Sequence, residues 1–496
     1  MPIKFKLLTK PQPRNIPLVF FMSEGDDITA YSLFKFLGEE EKEYLKKIKK
    51  SVNPREKEVK LFVMPGPPAG GGRKVLAVGV CKKSGFSASK AVLAARIAVQ
   101  AAKKEKIKKF AFWAAPMDGA ETTRKFYEAV AVNALMANFE FTKYKTPPKE
   151  GFGFVEEIQA LAAKPDKNIM EGFRRGAIVG EEVNATRELA STPGGDMTPR
   201  ILAEAARKVS AGTGIKITIF DEKKIKTLKM GGVLGVSRGS DEPPRFIVME
   251  YLKGPKSGKP IVLVGKGVTF DTGGLNLKPE QAIYEMHMDM SGGAAVIHAI
   301  CAAARLKLKK NIVGLVPSVE NMPSGSSYHP GDILRTMLGK TIEVLNTDAE
   351  GRIILADALS YAKKYNPELV VDVATLTSGA IAALGQRYTG LFTADKKLEE
   401  RFRKLGEESG DRVWPLPLSE EYEEEIKGTF GDWANVGKNR YGDASRAAVF
   451  LWQWAKEYPW VHLDIAPRMT TIEGEYLAKG AAGAPVRLLV CLLEEF

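Results

Sequence analysis

Cysteine is scarce in this chain. The three present, Cys81, Cys301 and Cys491, lie far apart and in no C-x-x-C pair, which argues against a disulfide framework or a thiolate zinc site and fits a reducing compartment. Histidine is almost as rare. His287, His298, His329 and His462 never take the H-E-x-x-H spacing, so a zinc peptidase of that type is excluded and each is expected to be a surface or structural residue. Long apolar runs are missing too: the longest near the start, Ile16 to Met22, is interrupted by Pro17 and lacks a small-residue cleavage site. Neither a membrane span nor a signal peptide is expected, and the cytoplasm is the expected location. The stretch P-G-P-P-A-G-G-G-R after Met64 has no following Gly-Lys-Ser/Thr; it reads as the turn of a hairpin rather than a phosphate loop.

What the chain has is length, charge and alternation. At 496 residues and 44% hydrophobic content it exceeds one ordinary core and can fill two. Its net charge of +13 is unevenly spread: residues 1 to 165 hold 30 Lys and Arg against 17 Asp and Glu, and the remainder is balanced. A Lys-rich solvated surface accounts for this, since Lys46, Lys47, Lys49 and Lys50 lie in a helix-forming run. Secondary nucleic-acid binding by the basic part is the alternative, although no RNA- or DNA-binding motif accompanies the charge.

Read in order, the chain predicts helices over 33–50, 88–104, 122–137, 170–189, 200–210, 292–306, 353–364 and 398–406. Strands are expected over 17–22, 59–64, 74–80, 109–115, 216–220, 246–251, 261–264, 312–317, 369–373 and 390–393. Alternation at this spacing indicates a smaller amino-terminal α/β domain, residues 1–165, a linking helix at 166–190, and a larger α/β domain, 191–496. The latter is expected to have a mostly parallel central sheet covered by helices.

The charges of one stretch stand out. Lys266, Asp271, Lys278, Asp289, Asp348, Glu350 and Arg352 sit beside glycines or at element ends, where chemistry is placed more often than packing. Lys266 and Asp271 follow the strand 261–264, near the carboxyl end where open α/β sheets bind ligands. Asp348 and Glu350 are expected in a loop that runs into the helix starting near Ile353. Four carboxylates brought together without cations would repel, and each would have to protonate or find a partner. Two divalent ions sharing them would make a dinuclear hydrolytic centre. A dinucleotide fingerprint starting at Gly265 fails because Phe270 stands at its third glycine position. A dinuclear phosphoesterase would use similar metal physics but draw more naturally on histidine.

The segments V-G-K-G-V-T-F-D-T-G-G, L-K-P, M-x-M-D-M-S-G-G-A-A, P-S-V-E-N-M-P-S-G, N-T-D-A-E-G-R, D-V-A-T-L-T, G-D-R-V-W and H-L-D-I-A resemble, over about residues 170 to 490, the signatures of the leucyl aminopeptidase family of cytosolic dinuclear metallo-aminopeptidases. The resemblance implies hydrolysis of the first peptide bond of a peptide with a free α-amine. It also implies two divalent ions, Zn or Mn. Lys266, Asp271, Asp289 and Glu350 would hold one, and Asp271, Asp348 and Glu350 the other. Lys266 can ligate only as a neutral amine, so its pKa would have to fall far below the usual value of about 10.4. Lys278 would stabilise the oxyanion of the scissile carbonyl, and Arg352 would hold a bicarbonate ion acting as general base. Met286, Thr375, Ala466 and Met469 would line the pocket for a Leu-like first side chain. Ser378 stands where many relatives have Gly, and Ile283 where Met is usual, which bears on fine substrate preference. A homohexamer is implied as well.

Overall fold

The computed structural model describes all residues except 1, 10–15, 31–33, 35–36, 66–71, 83–87, 114–119 and 163. The chain divides into two compact units, one comprising Met1–Asn184 and Ile472–Lys479, the other Ala185–Thr471 and Gly480–Phe496. The division falls inside a single helix, Lys167–Ser191.

In the first unit six strands lie in the order Lys4–Leu8, Glu157–Leu161, Lys109–Trp113, Leu18–Glu24, Arg73–Lys82 and Val59–Met64. All pairs are parallel except the last, where the expected hairpin pairs Val59–Met64 with Arg73–Lys82; most of its turn lies outside the described residues. The helix expected over 33–50 is shorter, Glu39–Ile48, and part of the difference also falls outside them. Its start is set locally: the Glu41 carboxylate accepts from the Gly38 N–H at 2.8 Å, and three acids occupy the first turn, where the helix dipole favours them. The helix Lys167–Ser191 carries Gly172, Gly176 and Gly180 on one stripe. A Cβ at these positions would lie 2.5 Å from the Arg124 carbonyl, 2.3 Å from the Glu128 carbonyl and 2.9 Å from Leu135. The stripe therefore lets this helix press directly against Ala120–Asn138. Tyr476 and Leu477, from the distant segment Ile472–Lys479, pack on the same core.

The second unit is built on a nine-stranded sheet, beside a small one of Ile333–Arg335, Thr341–Glu343 and Trp433–Ala434. The order in the large sheet is Val413–Pro415, Thr389–Phe392, Trp460–Asp464, Leu369–Ala374, Ile261–Gly265, Asn311–Asn321, Arg245–Leu252 and Lys216–Phe220, with Gly267–Asp271 pairing off this path onto Asn311–Asn321. The sheet is mixed and mostly parallel. The central strands, I-V-L-V-G and L-V-V-D-V-A, are buried on both faces, as parallel strands under helices must be. Leu263, Val371 and Val373 point into the core under helix Ser291–Arg305. Val262, Val264 and Val370 point the other way, under Glu350–Ala362 and Asp443–Trp452. Each such side chain contributes about 1.5–3 kcal/mol by leaving water. Because Trp460–Asp464, Leu369–Ala374, Ile261–Gly265, Asn311–Asn321 and Gly267–Asp271 form a parallel run, their carboxyl ends share one edge.

Asp372 is among the polar groups buried in this core. It accepts from Trp460 Nε1 at 2.6 Å and pairs with His462 Nδ1 at 2.6 Å, all fully or almost fully buried. Burial pulls the imidazole pKa down, but the Asp372 carboxylate outweighs it and the value is raised. A histidine raised in the folded state adds stability that is complete below the unfolded value of about 6.5 and is lost as pH rises through the folded value. The urea midpoint should therefore fall as pH climbs from about 6.5, and Asp372→Asn should flatten that decline; an unchanged slope would contradict the assignment.

Candidate metal centre

The strand ends bring the predicted charges together. Lys266 follows Gly265, and its Nζ lies 2.8 Å from Asp289 Oδ2, 2.8 Å from Glu350 Oε1, and donates to the Thr375 carbonyl at 2.9 Å. Gly351 makes room for it, since a Cβ there would lie 2.8 Å from Nζ. Gly292 and Gly293 let helix Ser291–Arg305 start against the sheet; a Cβ at Gly292 would lie 2.1 Å from the Val373 carbonyl. That close approach places Asp289, just ahead of the helix, beside Lys266. Lys278 Nζ lies 2.8 Å from Asp271 Oδ2 and also pairs with Asp348 Oδ1. Carboxylate oxygens of Asp271, Asp348 and Glu350 lie within 4.8 Å of one another.

Two details differ from expectation. Asp271 ends a strand of its own, Gly267–Asp271, paired with the end of Asn311–Asn321. Glu350 is not in a loop: it opens the helix Glu350–Ala362, so the helix begins three residues before the position expected. A carboxylate at a helix amino terminus is favoured by the unpaired N–H groups there.

Four acids face two ammoniums here, and burial sharpens the conflict. Desolvation pulls both lysines down, yet the surrounding carboxylates prevail and hold Lys266 and Lys278 above the usual lysine value. Burial with like-charge crowding pushes Asp271 up to about 6 and Asp289 up to about 8. Asp348 is also raised, chiefly by burial. Glu350 goes the other way: burial would raise it, but Lys266 and Lys278 outweigh that and it is lowered. The cluster thus keeps both ammoniums and shares protons among its acids.

This donor set fits divalent cations. Asp289 Oδ2, Glu350 Oε1 and Asp348 Oδ1 are buried, and each faces a lysine ammonium, Lys266 for the first two and Lys278 for the third. Two of the acids are also held from outside the cluster: Asp289 Oδ1 accepts from Thr375 Oγ1 at 2.6 Å, and Asp271 Oδ1 accepts from Asn321 Nδ2 at 2.8 Å and the Gly273 N–H at 2.9 Å. Carboxylates that converge on shared cations and are braced from behind suit divalent ions of the Mg, Mn or Zn type.

Arg352 is buried one half-turn beyond Glu350, with Nη1 donating to the Asn435 carbonyl at 2.8 Å and Nη2 lying 3.5 Å from Asp443 Oδ1. Of the four residues expected to line a pocket, Thr375 is buried against Asp289, Met286 opens the short turn Met286–Met288, and Ala466 and Met469 lie at the turn after strand Trp460–Asp464. Sequence reasoning missed Asn321, Asn435 and Asp464. Asn435 Oδ1 accepts from the Leu345 and Asn346 N–H groups, and Nδ2 donates to the Asn346 carbonyl at 2.6 Å, clamping the loop that leads to Asp348. Asp464 accepts from Leu376 N, Ala466 N and Thr377 Oγ1, fixing the segment that carries Thr375. The chain also contains one G-x-S-x-G match, Gly235 to Gly239. It ends a helix, Gly231–Ser237, and the Ser237 hydroxyl donates to the Leu234 carbonyl, so it forms no strand-to-helix nucleophile elbow.

A mostly parallel α/β sheet with an acidic, lysine-containing cation site at its strand ends defines the class of metal-dependent hydrolases that carry their site on such an edge. Comparison with known proteins narrows it. The catalytic-domain model of the cytosol aminopeptidase family matches residues 184–490, and the family's N-terminal-domain model matches residues 18–148. The chain belongs to the cytosol aminopeptidase family and is a metallo-exopeptidase. Proteins described as probable cytosol aminopeptidase from Burkholderia mallei (strain SAVP1) and Burkholderia pseudomallei (strain 668) are each 40% identical over 425 residues, 85% of this chain and 84% of theirs. Among solved structures, the bottromycin maturation enzyme BotP is similar, with a TM-score of 0.82 and 32% identity over 97% of this chain and 99% of that one. A second structure of BotP, 31% identical with the same TM-score and coverage, is described as a complex with Mn. Among the described residues, no helix is long and apolar enough to cross a membrane.

Proposed function

We propose that the protein removes the amino-terminal residue, preferably Leu-like, from peptides, using two divalent ions held at the strand-end cluster. The observation that carries this reading is the convergence of Asp271, Asp289, Asp348 and Glu350 around Lys266 and Lys278, with buried carboxylate oxygens turned onto the two ammoniums. Lys266, Asp271, Asp289 and Glu350 would hold one ion, Zn or Mn, and Asp271, Asp348 and Glu350 the other. When bound, such ions supply Lewis acidity and lower the pKa of water.

The remaining chemistry belongs to the chain. A free α-amine of the substrate would add a nitrogen donor at the ions that these residues hold, and that requirement makes the enzyme an exopeptidase. Lys278, kept protonated by its acidic neighbours, stabilises the carbonyl oxygen as it gains negative charge. Arg352 holds bicarbonate as the proton acceptor, a role for which no histidine is recruited. Met286, Thr375, Ala466 and Met469 receive the first side chain. We further propose that the enzyme works in the cytoplasm as a homohexamer.

Leucine p-nitroanilide should be hydrolysed in the presence of Mn or Zn, its N-acetylated form should not, and Asp348→Ala should lose the activity. Hydrolysis that persists in Asp348→Ala would sink the ligand assignment. Loading the centre should also release protons, because Lys266 is an ammonium without metal and ligates only through its lone pair. Apparent metal affinity should accordingly rise with pH. Calorimetric titration in buffers of different ionisation enthalpy measures the release, and a buffer-independent heat would contradict it.

A further inference from the structure

Arg352 is 3% exposed, so each of its N–H groups needs a partner inside the protein. Nη1 has one in the Asn435 carbonyl. The opposite edge, Nε with Nη2, is a fork that carboxylates bind side-on through two parallel hydrogen bonds. On that edge Nε has no hydrogen-bond partner. Nη2 has only Asp443 Oδ1 at 3.5 Å, well beyond the length of about 2.7–2.9 Å typical of a charge-assisted N–H···O bond. The buried fork therefore calls for a carboxylate-like anion.

Two sources can supply it: an ion from solution, or the chain. Asp443 is placed for the second. It opens helix Asp443–Trp452 directly after Gly442, whose φ of 64° turns the chain into the helix. Its side chain is 33% exposed, so it is not locked by packing. Space beside it is kept by Gly379, where a Cβ would lie 3.3 Å from the Asp443 Cβ. Its Oδ1 already lies 3.5 Å from Nη2, and the staggered rotamers of an unpacked side chain give the carboxylate other positions about its Cβ.

We propose that Asp443 is the resident anion of the Arg352 fork, so that dissolved bicarbonate has to displace a carboxylate of the chain itself. This rests on the reading of Arg352 as an anion seat. The consequence is an enzyme only weakly responsive to bicarbonate, with Asp443 acting as a built-in competitor.

The test compares the full-length Mn-loaded protein, Asp443→Asn and Arg352→Ala. Binding of isotope-labelled bicarbonate is followed by its carbon NMR line, and leucine p-nitroanilide hydrolysis is measured in carbon-dioxide-depleted buffer with and without added bicarbonate. Asn keeps the size and polarity of the helix start and removes the charge. Asp443→Asn should bind bicarbonate at least about tenfold more tightly than wild type, since a tenfold change needs a competitor worth only about 1.4 kcal/mol. Its activity should rise with bicarbonate more steeply than that of wild type, and Arg352→Ala should bind none. Equal affinity in wild type and Asp443→Asn, with binding lost in Arg352→Ala, would overturn the proposal and leave the anion seat standing. Unchanged binding in Arg352→Ala, or no binding in any of the three, would remove the anion-seat reading itself and this proposal with it. The binding arm reads out whether or not peptides are hydrolysed, so failure of the peptidase reading is a separate result.

Discussion

Glu350→Ala is expected to abolish metal-dependent hydrolysis, lowering kcat/KM by several orders of magnitude, while the metal-free protein stays folded. Glu350 is, with Asp271, one of the two acids assigned to both ions, and it is the first residue of its helix, 1% exposed, with Oε1 2.8 Å from Lys266 Nζ. Breaking a buried ion pair by deleting one partner ordinarily costs about 3–5 kcal/mol, because the other charge is stranded. Here Lys266 keeps Asp289 at 2.8 Å and the Thr375 carbonyl at 2.9 Å, and the deletion also relieves repulsion among four crowded acids. The stability loss should therefore fall below that range. Metal analysis separates the outcomes: Glu350→Ala should retain neither ion, whereas Asp348→Ala, which touches only one assigned site, should retain one. Two retained ions in Glu350→Ala would refute the bridging role.

Lys278→Ala should show the opposite split. Lys278 pairs with Asp271 and Asp348, so its removal takes a competing cation away from the ligands and should leave metal binding intact or tighter. As oxyanion donor, however, its loss should lower kcat by about 10²–10³-fold, with a small effect on KM, since the charge it meets develops only in the transition state. A fall in metal affinity with unchanged kcat at saturating metal would reassign Lys278 from catalysis to structure.

Much of this was legible in the sequence. The strands I-V-L-V-G and L-V-V-D-V-A are apolar enough to announce burial on both faces, and the Gly-flanked charges between Lys266 and Arg352 marked the strand-end site. Other features depend on contacts that no local pattern encodes. Asn321 holds Asp271 only because strands Gly267–Asp271 and Asn311–Asn321 pair with those two residues opposite each other. The strand Trp460–Asp464 escaped notice because His462 and Asp464, on alternate positions, look like a solvent face; both are buried in polar contacts with Asp372 and Thr377. Residues 472–479 return to the first unit through Tyr476 and Leu477, and the Tyr476 carbonyl accepts from Gln100 across 376 positions, a pairing that hydrophobic periodicity does not carry. The helix start at Glu350 is hidden by the glycine of A-E-G-R, a poor helix former, which the structure needs there because a side chain would strike Lys266.

The most direct test of the account is to strip the full-length protein with a chelator, add Mn stepwise, and follow bound metal and leucine p-nitroanilide hydrolysis together. The account predicts an inactive stripped protein, two ions bound per chain at saturation, and activity that rises with their occupancy. Full hydrolysis by the stripped protein, or activity that does not follow the metal, would contradict it.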